Sequence, residues 1–168
     1  LLHKPKVIKI EAEEKTIKLI NQLAYFVQEE RKGPLLRYII KSKNLQQVLV
    51  FTSSAYKCDA VANKLVKNGL EAEAIHGKKS QWVRTEALRL FKEGKIRVLV
   101  TTDLLARGID IEFLPCVINY ELPRSPKDFI HRIGRTGRAE SPGDAITLVA
   151  PEDEHHFKVI QKKMGRWV

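Results

Sequence analysis

Gln47-Val48-Leu49-Val50-Phe51-Thr52-Ser53-Ser54 decides how this chain folds. Its apolar run has no alternating polar positions, which is the pattern of a strand buried on both faces of a sheet. Ser53-Ser54 then supply a cap for a helix from about Ala55 to Asn68. Val61, Leu65 and Val66 form one face of that helix, and Gly69 stands just past its end. A doubly buried strand followed at once by an amphipathic helix opens a parallel α/β unit, because a parallel return needs a long crossover.

The same alternation extends outward on both sides. Glu71 to Ile75 reads as a second strand, followed by His76-Gly77. Ser80 caps a helix through about Lys92, with Val83, Ala87, Leu88 and Phe91 inward and Gly94 as its stop. Ile96 to Thr101 is another β-rich run. Thr102-Asp103 begins a helical turn that Arg107-Gly108 interrupts. Cys116 to Tyr120 forms a strand ended by Leu122-Pro123, and Ser125-Pro126 starts a helix with proline at a favoured first-turn position. Asp144 to Val149 is a last strand, and residues 151–163 form a polar closing helix. Towards the N-terminus, Leu35, Leu36, Tyr38, Ile39 and Ile40 make a helix ending near Ser42, and Gly33-Pro34 separates it from what precedes. Residues 14–32 mix helical and non-helical spacing and take no assignment. Lys6 to Glu11 alternates Val7, Ile8 and Ile10 with lysines and reads as a short strand or extended segment.

At 168 residues and 43% hydrophobic, the chain supports one well-buried domain, without internal repeats. A formal charge of +10 points to an acidic partner such as nucleic acid, nucleotide or anionic membrane. No apolar run approaches the ~20 residues that span a bilayer. Leu1-Leu2-His3-Lys4-Pro5 is not a signal peptide, and without an initiator Met the chain is expected to be a fragment or processed product. Cys58 and Cys116 have neither CxxC spacing nor a disulfide framework. They read as small core residues in a reducing cytosol or nucleus. His155-His156 has no further Cys or His at ligand spacing, so no metal site is expected.

Ligands of such sheets bind at the carboxyl ends of the strands. Ser54, Ser80 and Thr102 each stand there as a hydroxyl at a helix N-terminus, where unpaired N–H groups attract anions. Gly77 permits close backbone approach, and Arg84 adds a charge one turn inside its helix. Any one hydroxyl is explained by capping alone. Together with Arg107 and the arginine-rich stretch, they suit the repeated phosphates of a nucleic-acid strand. Aromatics are few near these junctions, so the expected binding is to the backbone, with little sequence preference. His76 reads as a hydrogen-bonded turn histidine. Asp110 either accepts from ribose hydroxyls or pairs with Arg107.

The arginine-rich stretch is Phe129-Ile130-His131-Arg132-Ile133-Gly134-Arg135-Thr136-Gly137-Arg138. If it is helical, His131, Arg135 and Arg138 share one face, and Arg132 points elsewhere as the structural member. Three like charges gathered on one face expect an anion, and guanidinium forks suit phosphate. Gly77-Lys78-Lys79-Ser80 is not a phosphate-binding loop of the GxxxxGK[ST] type, because Ala72 stands where the first glycine is required. There is also no acidic Mg²⁺-binding motif at a strand end. By itself the chain should not hydrolyse nucleotide.

These stretches, in this order, resemble the C-terminal RecA-like domain of DEAD-box ATP-dependent RNA helicases over nearly the whole chain. Val48–Ser54 is similar to motif IV of that family, and Ile75-His76-Gly77 with Gln81 and Arg84 to the motif that follows. Thr101–Asp110 is similar to motif V, Val117–Pro123 to the strand after it, and His131–Arg138 to motif VI. Thr52-Ser53-Ser54 varies motif IV, and Glu140 stands where glycine is common. The resemblance implies an α/β, three-layer RecA-like domain with a mostly parallel sheet, spanning 1–168, with 1–15 as lead-in strand and interdomain linker. Arg135 and Arg138 would be arginine fingers, with His131 beside them, acting on ATP held by a separate N-terminal RecA-like domain that also holds most of the Mg²⁺ coordination. Gly108 and Asp110 would meet the nucleotide ribose, and Ser54, Gly77, Arg84 and Thr102 the RNA backbone. Gln81, Arg107 and Arg132 would link the motifs or the domains. Implied partners are RNA, the N-terminal domain of the same polypeptide and protein cofactors, in the cytoplasm, or in the nucleus of a eukaryote. A non-catalytic RNA-binding or scaffold module of the same fold is the alternative. A small nucleotide- or flavin-binding α/β protein is a more distant one.

Overall fold

The computed structural model describes residues 5–10, 20–137 and 141–164. Strand β1 (Lys6–Ile10) leads to β2 (Ile20–Phe26), and α1 (Lys32–Ser42) follows a single 3-10 turn at Glu29–Arg31. Then come β3 (Val48–Phe51), α2 (Ala55–Lys67), β4 (Ala72–Ala74) and α3 (Gln81–Lys92). Strand β5 (Val98–Thr101) runs into the one-turn α4 (Asp103–Ala106), followed by β6 (Cys116–Asn119) and α5 (Pro126–Ile133). Strand β7 (Gly143–Val149) and α6 (Glu154–Met164) complete the order.

The described strands form one sheet in the order β1-β2-β7-β6-β3-β5-β4, with β1 antiparallel to β2 and every other pairing parallel. Because side chains alternate along a strand, each central strand feeds two cores. Val48 and Val50, Val98 and Val100, Cys116 and Ile118 face α1 and α2. Leu49, Phe51, Leu99 and Val117 face α3 and α4. Helices α5 and α6 cover the β2–β7 end of that second face, packing Phe129, Ile133, Phe157 and Ile160 on Ala24, Ala145 and Val149. The result is a three-layer α/β domain, as the resemblance implied. The centre of the sheet is its driving force, since each fully buried Val, Leu or Phe contributes roughly 1.5–3 kcal/mol.

Two stretches differ from the sequence reading. Residues 20–26 are a strand because their backbone completes a parallel ladder with β7, from Ile20 opposite Gly143 to Phe26 opposite Val149. Its period of two is hidden because one buried position is Gln22 and another is the small Ala24. Gly33-Pro34 does not separate α1 from the preceding chain but lies within its first turn, where a missing N–H costs little. Of the lead-in stretch 1–15, residues 6–10 are the antiparallel edge strand, and 1–4 and 11–15 lie outside the described residues.

The chain between α5 and β7 is stitched to the loop before β6. Leu114 and Thr136 form an isolated parallel bridge, and the Thr136 hydroxyl donates to the Leu114 carbonyl. Gly143 packs into this stitch: a Cβ there would lie 2.5 Å from the Gly137 nitrogen and 2.0 Å from Thr136 Oγ1. Backbone cannot yield as a flexible side chain does, so Gly143→Ala is expected to destabilise the fold by roughly 2–3 kcal/mol, read from urea unfolding.

Both cysteines are buried core residues. Burial pushes the Cys58 thiol up to about 11, while the Thr52 hydroxyl, 3.0 Å away, pulls it down less strongly. Burial drives Cys116 higher still. Neither thiol is ionised at pH 8, so neither should react with a disulfide reagent in the folded protein, whereas both should react at once in denaturant.

Candidate functional site

The carboxyl ends of β3, β4, β5 and β6 share one edge, and the residues singled out in the sequence sit along it. Ser54 caps α2 by accepting from the Lys57 N–H at 3.1 Å, and Ser80 caps α3 by accepting from Val83 at 3.2 Å. Thr102 accepts from Leu105 at 3.5 Å. Each hydroxyl thus does what capping requires. A hydroxyl that accepts through a lone pair still has its own hydrogen to donate, so capping and anion contact are compatible. Of the variant triplet at the end of β3, Thr52 is buried and bonded to Cys58 and the Ser54 carbonyl. Ser53 donates from both N and Oγ to Glu121, at 2.7 and 2.8 Å. Ser54 is the hydroxyl of the three that combines exposure with a helix start.

The loop after β4 is held from beneath. His76 is 3% exposed, with Nε2 3.1 Å from both Asp59 oxygens and Nδ1 accepting from the Lys78 N–H. Because Nδ1 accepts, Nε2 carries the proton and donates to Asp59. His76 is a hydrogen-bonded turn residue, and Gly77 beside it is exposed, with nothing within 4 Å of a would-be Cβ. The Arg84 guanidinium is steadied by Gln81 Oε1 at 2.8 Å, and Gln81 donates in turn to Thr85. Gln81 therefore orients Arg84 within one helix.

The arginine stretch departs from the single-face expectation. Helix α5 ends at Ile133, with Gly134 as its C-cap, so it carries His131 and Arg132 but not Arg135. The cause is the stitch to β6: Leu114 N–H donates to the Arg135 carbonyl, and Gly137 N–H donates to the Leu114 carbonyl. These bonds draw the chain out of helical geometry at the point where a further turn would begin. Arg138 lies outside the described residues, as does Glu140.

Arg132 is 1% exposed and held by four hydrogen bonds. It grips Asp103 with two bonds of 2.7 and 2.8 Å, and donates to Asn119 Oδ1 at 3.3 Å and to the Glu121 carbonyl at 2.6 Å. Its guanidinium also lies 5.0 Å from the Phe51 ring centre, and Asn119 donates onward to Thr147. The motifs it links are therefore α4, β6 and the end of β3, all inside the chain. Asp103, Asn119 and Thr147 are partners the sequence did not reveal, because they are far apart until the strands align.

Arg107 does not pair with Asp110. It pairs with Asp128 at 2.8 Å across the α4–α5 gap, leaving Asp110 exposed. Burial alone would raise the Asp128 carboxyl, but the bonds from Arg107 and Ser125 outweigh it and hold the group below the ordinary range. Arg135 is half-buried and donates to three backbone carbonyls, Ala106 at 2.5 Å, Ile109 at 3.1 Å and Ile111 at 3.3 Å. It binds to the loop that carries Gly108 and Asp110. Burial lowers its pKa, partly offset by Glu112 and Asp110, yet a guanidinium stays charged at any working pH. Arg107, His131, Arg132 and Arg135 line one shallow crevice between α4 and α5. A larger cavity, about 600 Å³, lies instead between α1 and α2 on the opposite face.

The sequence also passed over two aromatics on this edge. Tyr56, in the first turn of α2, is 80% exposed, and Trp82, in the first turn of α3, is 73% exposed. The clue was helical phase, since both lie away from the faces that carry Val61 and Leu65 or Ala87 and Phe91. Among the described residues, no group of three or more His, Cys, Asp or Glu could hold a metal ion. Nor is any helix there long and apolar enough to cross a membrane.

Residues 31–140 match the family described as Helicase conserved C-terminal domain. The ATP-dependent RNA helicase CshA of Listeria monocytogenes is 40% identical over 161 residues, covering 96% of this chain and 31% of that protein. The chain thus spans about a third of the length of the curated relatives it matches. The crystal structure of a DEAD box protein from Methanococcus jannaschii is 38% identical with a TM-score of 0.81, over 89% of this chain and 41% of that one. The C-terminal domain of the DEAD-box protein Dbp5 also gives a TM-score of 0.81 at 31% identity, over 90% of this chain and 89% of that one. With the motifs on one sheet edge, the fold in three layers and near-complete overlap with that isolated domain, this chain belongs to the helicase C-terminal domain family, as a DEAD-box RecA-like domain.

Proposed function

We propose that this chain is the C-terminal half of an ATP-dependent RNA helicase, completing a site whose nucleotide is held by an N-terminal RecA-like domain of the same polypeptide. The observation that carries the proposal is Arg135. A half-buried, permanent cation rests on three neutral carbonyls, and among the described residues no carboxylate closes an ion pair with it. Its charge remains available to an anion. The family supports ATP as that anion's source. The chain's own residues fit a subsidiary role: an exposed Asp110 to accept from ribose hydroxyls, the Gly108 backbone next to it, and a guanidinium on the same loop. Phosphate charge that develops during transfer would be stabilised by Arg135, with His131 beside it and Arg138 further along the chain.

On the other side of the edge, Ser54, Thr102, the Gly77 loop and Arg84 would hold successive phosphates of one RNA strand. Closing the two domains would bring the arginines to the nucleotide and bend the bound strand, so that a duplex separates locally. Reopening would follow hydrolysis. Arg132, sealed inside the chain, contributes by fixing α4 against α5 rather than by touching the partner domain. Mg²⁺ would be held by the N-terminal domain, and the protein would act in the cytoplasm, where RNA and ATP meet.

The test is reconstitution. The chain alone should bind single-stranded RNA weakly, more weakly as salt rises, and show no ATPase activity. Mixed with a matching N-terminal RecA-like domain, it should produce RNA-stimulated hydrolysis. Strong RNA-stimulated hydrolysis by these 168 residues alone would overturn the proposal.

A further inference from the structure

We propose that Trp82 is a stacking platform for an unpaired RNA base, so that this edge takes single-stranded RNA through a base face as well as through phosphates. The inference rests on the RNA reading above and adds a base-stacking contact to a site otherwise built for the backbone. Trp82 is the second residue of α3 and 73% exposed, whereas Ala87 and Phe91 of the same helix are buried against the sheet. At 3.6 residues per turn, the indole projects roughly opposite those two. Side chains of a helix lean towards its N-terminus, so an indole in the first turn leans towards the sheet edge where Gly77, Lys78 and Ser80 lie.

Its sequence neighbours are the polar groups of the track itself. Gln81 precedes it and Arg84 follows, bound to each other at 2.8 Å, with Lys78 exposed and Lys79 partly so just before the helix. A π face with cations close in sequence, of which Arg84 is held by Gln81 and Lys79 is paired with Asp59, is the composition that holds single strands, because phosphates meet the charges while a base covers the ring. A protein partner would call for a contiguous apolar patch. The other exposed large side chains near this edge, Tyr56 and Leu104, stand singly on different helices, and α2 is on the opposite face of the sheet from α3. Stacking tolerates any base, so the platform would favour unpaired strands over duplex without selecting a sequence.

The experiment compares a labelled oligouridine with an abasic oligomer of the same length by fluorescence anisotropy, using this chain at several salt concentrations. The unmodified chain should bind the oligouridine about tenfold more tightly than the abasic strand. Trp82→Ala should weaken oligouridine binding about tenfold, leave abasic binding unchanged and leave the salt slope unchanged. Trp82→Phe should restore most of the difference. Equal binding of both oligomers by the unmodified chain, or equal weakening of both by Trp82→Ala, would overturn the platform while leaving the phosphate track intact. Absence of salt-dependent binding to either oligomer would overturn the RNA reading, and the platform with it.

Discussion

On the proposed function, replacing Arg135 by alanine is expected to lower RNA-stimulated ATP hydrolysis by about 10³-fold or more when the chain is paired with a matching N-terminal RecA-like domain. The fold should survive. Arg135 makes three bonds to carbonyls of the 106–111 loop, and each ordinary hydrogen bond contributes about 0.5–1.5 kcal/mol net. Water can reach a half-buried site to replace them, so the loss in stability should be about 1–2 kcal/mol, a few degrees in Tm. The rate loss would be larger, because a transition-state contact would act in a closed, water-poor site where charge is being created. Arg135→Lys should recover little, since a point charge cannot reproduce a planar fork. RNA affinity of the isolated chain should be unchanged, which would separate this arginine from the proposed phosphate track. Activity within about threefold of the unmodified protein would dismiss Arg135 as a transition-state contact.

Arg132→Ala is expected to do the reverse, destroying stability before activity can be measured. Removing one member of a buried ion pair typically costs about 3–5 kcal/mol, and although the partly exposed Asp103 can regain some water, the loss of the other bonds of the buried Arg132 keeps the expected cost in that range. Here the removal orphans Asp103, frees Asn119 Oδ1 and the Glu121 carbonyl, and opens a cavity above Phe51. A domain of this size should lose roughly 6–20 °C of Tm. Urea unfolding of Arg132→Ala, Asp103→Ala and the double variant measures the coupling. The double variant should lose less than the sum of the singles, since the second removal relieves the orphaned charge. A loss below 1 kcal/mol in Arg132→Ala would contradict the buried geometry. Two arginines three residues apart therefore differ in kind: Arg132 has its charge paired with Asp103, whereas Arg135 rests on neutral carbonyls and has no ion pair among the described residues.

That difference was only half legible in the sequence. Arg132 was separable from His131 by helical phase, and its structural role followed from that. The shared helical face expected for Arg135 and His131 is absent because the helix ends at a long-range bridge to Leu114, a contact 22 residues away that no local pattern reports, although both side chains still line the α4–α5 crevice. The same limit applies to Arg107, whose candidate partner in one of two open readings, Asp110, is three residues on, while its partner Asp128 is on another helix. The strands of the central sheet were legible because burial on both faces leaves continuous apolar runs. Strand β2 was not, since Gln22 and Ala24 occupy its buried positions and blur the alternation. Capping hydroxyls were readable from residue type and place, because the interaction that fixes them is three residues long.

The position of β2 bears on how the chain comes into being. It lies between β1 and β7, so about two thirds of the sequence separates it from its parallel neighbour. Strands β3 to β6 can pair with one another as they emerge, but the first hairpin has no sheet to join until Val149 has been made. About 120 residues of synthesis, roughly 6–25 s at ordinary ribosomal rates, pass between the end of β2 and that moment. Throughout that interval Ile20 and Ala24 lack the β7 residues they finally cover. Docking of the β1–β2 hairpin should therefore be the late, slow event in folding, and the interval before it the one in which a chaperone has most to protect.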